Sequence, residues 1–123
     1  MMAAKQTQHW QGELLEEEPM SRHTSWRAGG AARRYYTPVD VQDLAVFLQQ
    51  LDAEEPLLWV GLGSNLLVRD GGFPGTVICV HGAVTVLDWL DDTTLRAGAG
   101  VTCAKAARVT TRAGLTGIEF LAG

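Results

Sequence analysis

The run Trp59-Val60-Gly61-Leu62-Gly63-Ser64-Asn65-Leu66-Leu67-Val68 constrains this chain more than any other stretch. An apolar segment breaks into Gly-x-Gly-Ser-Asn and then resumes. Glycines at 61 and 63 allow positive φ and a sharp turn that β-branched residues resist. Asn65 is one of the few non-glycine types that tolerate the left-handed region. Such a loop aims consecutive N–H groups into one concavity, a nest suited to phosphate. The Ser64 hydroxyl and the Asn65 amide add side-chain donors. Gly61, Leu62, Gly63, Ser64, Asn65 and Leu66 therefore form a candidate phosphate- or pyrophosphate-binding loop. The alternative is a tight strand–strand turn in which glycine does only turn work.

Two familiar phosphate loops do not fit. The dinucleotide fingerprint needs a third glycine at position 66 and a helix after it. Position 66 is Leu, and Leu66-Leu67-Val68-Arg69 reads as strand. The nucleoside-triphosphate loop needs Gly-Lys-Ser/Thr after its second glycine, and no lysine stands nearby. With no following helix, backbone N–H groups and side chains must carry the binding.

At 123 residues the chain amounts to one domain or less. A net charge of −4 argues against nucleic acid as a main partner, because phosphate-backbone surfaces are strongly basic. No apolar run approaches the roughly 18 residues that span a bilayer, and the first ten residues carry no apolar signal region. A cytoplasmic protein is expected, with no membrane partner. Cys79 and Cys103 lack metal or redox spacing and read as buried, reduced small hydrophobes. His9, His23 and His81 are scattered without ligand spacing, so no metal is expected.

Residues 1–19 read as a polar arm ending in Glu16-Glu17-Glu18, a run of the solvated, poorly ordered kind. Arg33-Arg34-Tyr35-Tyr36 reads as a half-exposed strand. Asp40 is a plausible N-cap for a helix whose Val41, Leu44, Phe47, Leu48 and Leu51 build one apolar face. Asp43 falls on the opposite, polar side. Leu57–Val60 reads as a short buried strand, Asp70–Gly75 as turn, and Thr76–Val80 and Val84–Leu87 as further strands. Asp91-Asp92-Thr93-Thr94 makes a hairpin turn returning through Leu95–Gly98. A second helix starts at Thr102 and stops at Gly114, with Lys105, Arg108 and Arg112 on a solvated face. The chain then stops at Gly123 without a closing element, which looks like a cut. Strands in succession with interspersed helices indicate α+β.

Four segments together resemble the bacterial UDP-N-acetylenolpyruvoylglucosamine reductases. Thr24-Ser25-Trp26-Arg27-Ala28-Gly29-Gly30-Ala31-Ala32 is similar to the family's Asn-Thr-x-x-x-Gly-Gly-x-Ala opening, with Ala28 in place of its Ile or Val. Pro56 to Gly75 resembles its flavin pyrophosphate loop. Arg96-Ala97-Gly98-Ala99-Gly100-Val101 and Gly114–Gly123 resemble its next glycine-rich strand end and the approach to a second flavin loop. The resemblance covers roughly residues 20–123. It implies an FAD-binding domain of the vanillyl-alcohol-oxidase type, with the first α/β subdomain over 20–85 and the start of the second over 86–123. By the same resemblance, Gly61 to Leu66 hold the FAD pyrophosphate and Ala122 and Gly123 begin the loop that closes over it. FAD and NADPH are the implied cofactors. The implied substrate is a UDP-linked amino sugar, UDP-N-acetylglucosamine enolpyruvate, reduced to UDP-N-acetylmuramate for peptidoglycan precursor synthesis. The family's reducing arginine, serine and glutamate fall beyond the matched region, so no catalytic residue is named and the chain alone is expected to be inactive. A non-catalytic phosphate- or nucleotide-binding domain, or another oxidoreductase of this flavin fold, is the alternative.

Overall fold

Tyr35 and Tyr36 are neighbours in sequence, and both are buried. Successive strand residues point to opposite faces, so their strand must be covered on both sides. A computed structural model describes residues 9–122 and shows how this is done. Strands β1 (Glu13–Pro19), β2 (Ala31–Thr37), β3 (Leu57–Val60) and β4 (Phe73–Cys79) form one sheet in the order β1-β2-β4-β3. β1 runs antiparallel to β2, whereas β2, β4 and β3 are mutually parallel. Tyr35 and Val77 share one face with Met20, Ala32, Val60 and Val68. Tyr36 and Ile78 share the other with Leu44 and Phe47 of helix α1 (Val41–Gln49).

Parallel neighbours cannot be joined by a tight turn; the chain must travel back along the sheet between them. From β2 to β3 the return is made by α1. From β3 to β4 it is made by residues 61–72, which contain no helix. This corrects the reading of Leu66–Arg69 as a strand: the segment has no ladder partner and serves as an irregular crossover. It contributes Val68 and, in part, Leu66 to the Tyr35 face. The crossover passes so close to Gly30 that a Cβ there would lie 2.1 Å from the Asp70 carbonyl oxygen. The Gly30 N–H donates to the Arg69 carbonyl at 2.9 Å.

The N-terminal acidic run is also corrected. Glu13–Pro19 is not a solvated arm but the antiparallel edge strand, in register with Ala31–Thr37. Pairing with β2 supplies what the local sequence lacks, since Glu-Glu-Glu shows no apolar alternation. The 3-10 turn Met20–Arg22 follows and drives Met20 into the core.

Helix α1 begins as expected, with the Asp40 carboxylate accepting the Asp43 N–H at 2.7 Å. Leu44 and Phe47 are buried, Leu48 and Leu51 are half-buried and Val41 is exposed. Asp43 departs from its expected polar face and is buried, for reasons of hydrogen bonding considered in the Discussion. β3 is an edge strand, so Leu57 and Trp59 stay exposed and the expected burial is only half realised. β4 begins at Phe73 and takes in Pro74 and Gly75, residues read as turn. Cys79 is half-buried and Cys103 is exposed, so the expected burial of both thiols does not hold.

Strands β5 (Leu87–Asp91) and β6 (Thr94–Ala97) form a separate antiparallel hairpin. Val84–Val86 lie outside the strand expected there, although their carbonyls at 84 and 86 accept the Gly100 and Gly98 N–H groups. Helix α2 (Cys103–Arg112) is capped by Thr102, whose hydroxyl accepts the Lys105 N–H at 3.1 Å. Gly114 adopts φ +82° just beyond its end, the usual helix stop. Lys105, Arg108 and Arg112 are exposed.

A buried polar link ties the β2–β3 connection to the sheet. Thr76, fully buried in β4, donates to a Glu55 carboxylate oxygen, and Arg33 of β2 pairs with the other. The Thr76 hydrogen bond holds the Glu55 carboxyl below the usual range, against the opposing effect of burial. Thr76→Val keeps the shape but leaves that oxygen without its donor. A loss of about 1–3 kcal/mol in urea unfolding at neutral pH is expected. An unchanged unfolding midpoint would show the link to be energetically idle.

Candidate functional site

The crossover begins where β3 ends, so its first residues stand at the carboxyl end of a parallel strand. Ligands in open α/β sheets settle at this end. Residues 59–66 line a concavity of about 310 Å³. No N–H group from Gly61 to Leu66 donates to an acceptor among the described residues. Buried backbone donors are almost always paired, and a row of free ones around a hollow is the arrangement an anion needs. The loop itself is anchored from behind: the Ser25 N–H donates to the Gly63 carbonyl at 3.1 Å, and the Val80 N–H to the Val60 carbonyl at 2.9 Å.

The two glycines differ. Gly63 has φ +80°, and a Cβ on it would lie 2.0 Å from the His23 carbonyl oxygen. Gly61 does not have positive φ, and a Cβ there would meet nothing within 4 Å. Asn65 is not left-handed either; among the described non-glycine residues only Glu17 and Arg27 are. Gly63 thus serves the turn and the close approach, while Gly61 leaves open space beside the loop.

A larger cleft of about 580 Å³ adjoins the loop and shares Gly61 and Leu62 with it. Its other walls are Arg22, His23, Thr24, Ser25 and Arg27 from the segment after β1, Tyr35 from β2, and Cys79 and His81 from the end of β4. The volume falls within the range of small-molecule sites. Burial, with the neighbouring Cys79 thiol, pushes the Tyr35 phenol well above the usual tyrosine range, so it stays protonated. The Thr24–Gly30 segment and the 61–66 loop, far apart in sequence, therefore form one unit. The glycine pair 29–30 lets the crossover pass beneath, and His23 and Ser25 hold Gly63.

Ala122 closes the 3-10 turn Glu119–Ala122, and Gly123 lies outside the described residues. Nothing from residues 115–122 lines either the loop concavity or the cleft. Sequence reasoning missed Glu18, His23, Tyr35 and His81; the Thr24–Gly30 motif, which follows His23 directly, is the signal that points to this wall. Among the described residues no three His, Cys, Asp or Glu side chains are grouped to hold a metal, and no helix is long and apolar enough to cross a membrane.

Residues 32–123 match the family model described as FAD binding domain. The chain belongs to the FAD binding domain family. This FAD binding domain is similar to two proteins named UDP-N-acetylenolpyruvoylglucosamine reductase. That of Legionella pneumophila (strain Corby) is 52% identical over 113 residues, covering 92% of this chain and 37% of the relative. That of Nitrosococcus oceani is 54% identical over 112 residues, covering 91% and 38%. The crystal structure of the Thermus caldophilus reductase superimposes with a TM-score of 0.61 at 30% identity, covering 92% of this chain and 38% of that one. The FAD binding domain thus spans less than two-fifths of the length of these relatives. Its fold is the α+β fold of the vanillyl-alcohol-oxidase type: β1–β4 with α1 make the first α/β subdomain, and β5, β6 and α2 open the second.

Proposed function

We propose that the chain supplies the FAD pyrophosphate loop of a reductase that converts UDP-N-acetylglucosamine enolpyruvate to UDP-N-acetylmuramate with NADPH, in peptidoglycan precursor synthesis in the cytoplasm. The FAD-binding portion runs from residue 20 to the end of the chain and takes in β1 as its edge strand. The observation that carries this reading is the row of unpartnered N–H groups from Gly61 to Leu66 around a hollow. Those N–H groups hold the pyrophosphate, and the Ser64 hydroxyl and Asn65 amide reinforce them. The open side of Gly61 admits the ligand against the backbone. The segment from Leu121 to Gly123 is assigned to the same cofactor as the start of a closing loop. FAD, when bound, supplies the hydride chemistry; the protein supplies orientation and charge. This chain's residues bind and position; no residue in it is assigned to proton transfer.

Titration of the purified chain with FAD and with riboflavin tests the loop. FAD is expected to bind at least roughly a hundredfold more tightly, because only FAD offers a pyrophosphate to charge-assisted hydrogen bonds. Equal affinities would remove the pyrophosphate assignment. The reaction itself is tested by a chimera joining residues 1–123 to the remainder of the Legionella pneumophila relative. Oxidation of NADPH that depends on the enolpyruvyl sugar is expected. A chimera loaded with flavin but inert toward that sugar would leave a flavin domain of another reaction.

A further inference from the structure

The fold buries one carboxylate of the acidic run in the wall of the cleft. Glu18 is 8% exposed, and its Oε2 lies 2.7 Å from His23 Nε2. Its Oε1 lies 3.8 Å from the Arg22 guanidinium. A carboxylate only accepts, so His23 Nε2 carries a proton and donates to it. The imidazole is fixed on a second side by Tyr35, stacked at a ring separation of 4.0 Å and 19°. A carboxylate buried this deeply needs such a partner, because an unpaired one is costly. Orientation by a carboxylate fixes which nitrogen remains available; here it is Nδ1, which donates only when the ring is protonated.

The groups around His23 are named by element. Glu18 comes from β1, Arg22 and Arg27 from the connection to β2, Tyr35 from β2, and Cys79 and His81 from the end of β4. The one carboxylate among them is engaged, so the cleft wall is cationic. Arg27 is held at φ +55°, a left-handed conformation costly for a non-glycine side chain and commonest at functional sites. The cleft shares Gly61 and Leu62 with the loop of free N–H groups.

We propose that His23, oriented by Glu18, is a further ligand-binding residue, holding the diphosphate of the nucleotide in the cleft beside the loop when its imidazole is protonated. The identity of that nucleotide as FAD rests on the function proposed above; the anion site rests on the cleft alone. The test is calorimetric titration of the chain with ADP, FAD and riboflavin at pH 6 and pH 8, repeated for His23→Gln and Glu18→Gln. ADP and FAD are expected to bind wild type about tenfold more tightly at the lower pH, the worth of one charge-assisted hydrogen bond. Riboflavin binding is expected to be the same at both. His23→Gln flattens the ADP profile at the weaker value, and Glu18→Gln lowers affinity at pH 6 by a smaller factor. A flat ADP profile in wild type overturns the proposal without recourse to any variant, as does an unchanged profile in folded His23→Gln. A pH-dependent site for ADP in a chain that rejects FAD would keep this site and end the flavin reading. FAD binding of equal strength at both pH values would keep the flavin reading and end this site.

Discussion

Gly63→Val is expected to destabilise the fold by about 4 kcal/mol, combining strain at positive φ with overpacking against fixed backbone. The valine Cβ would lie 2.0 Å from the His23 carbonyl oxygen, and a carbonyl in the chain cannot swing away like the tip of a flexible side chain. The loop and the His23–Ser25 segment must separate, breaking the Ser25 N–H to Gly63 carbonyl bond as they do. Thermal unfolding should therefore begin roughly 15 °C or more below wild type, and flavin binding should be lost with it. Gly61→Ala is the informative contrast. Its Cβ meets no protein atom within 4 Å, so stability should change by less than about 0.5 kcal/mol. If the open side of Gly61 is where the pyrophosphate sits, FAD affinity should still fall roughly tenfold. Paired measurements of melting temperature and FAD affinity separate the two. A Gly63→Val protein of wild-type stability would show the contact to be absent in solution, and full affinity in Gly61→Ala would move the ligand elsewhere.

Asp43→Ala is expected to cost about 3–5 kcal/mol, because it strips the acceptor from several donors at once. The Asp43 carboxylate accepts the Tyr36 hydroxyl at 2.6 Å, the Gln11 N–H at 2.6 Å and the Val39 N–H at 3.0 Å. Tyr36 is fully buried and stacks on Phe47 at 3.8 Å, while its hydroxyl also accepts the Gly12 N–H at 3.0 Å. One carboxylate thus fastens the segment before β1, the middle of β2 and the first turn of α1. Burial works against its ionisation, but the hydrogen bonds from Tyr36, Gln11, Val39 and Gly12 outweigh it, and the carboxyl is held below the usual aspartate range. The folded value being the lower one, the stabilisation is fully present above the ordinary aspartate range and is lost as pH falls below it. Asp43→Asn should accordingly show a shallower loss of stability on acidification than wild type. Urea unfolding at neutral pH and in mild acid measures both, and identical acid limbs for Asp43→Asn and wild type would refute the assignment.

What the sequence disclosed, it disclosed through local chemistry. Asp40 and Thr102 cap helices because a short polar side chain can reach the N–H three residues on, and that requires no tertiary context. The 61–66 loop was visible for the same reason, as glycines interrupting an apolar run. The misread elements all depend on distant partners. Glu13–Pro19 is a strand only because β2 offers a ladder. Leu66–Arg69 has strand composition but no ladder, since β3 and β4 are parallel and something must return between them. Asp43 sits on the buried side because Tyr36 and the 11–12 backbone converge on it, which helical periodicity cannot register. The cleft was hidden likewise. Its residues come from four separate stretches of chain, and only the crossover under Gly29–Gly30 brings them together.

That crossover is at once a wall of the core and the approach to the ligand, and this limits how such a chain can vary. Most surface loops accept added or deleted residues at small entropic cost. The 61–72 segment has a fixed distance to cover, pinned at Gly63 by His23 and at Arg69 by Gly30. A change of length between those pins must displace either Val68 from the core or the N–H row from its hollow. Diversification is therefore confined to places where the backbone is anchored to nothing, such as the hairpin tip at Asp92-Thr93.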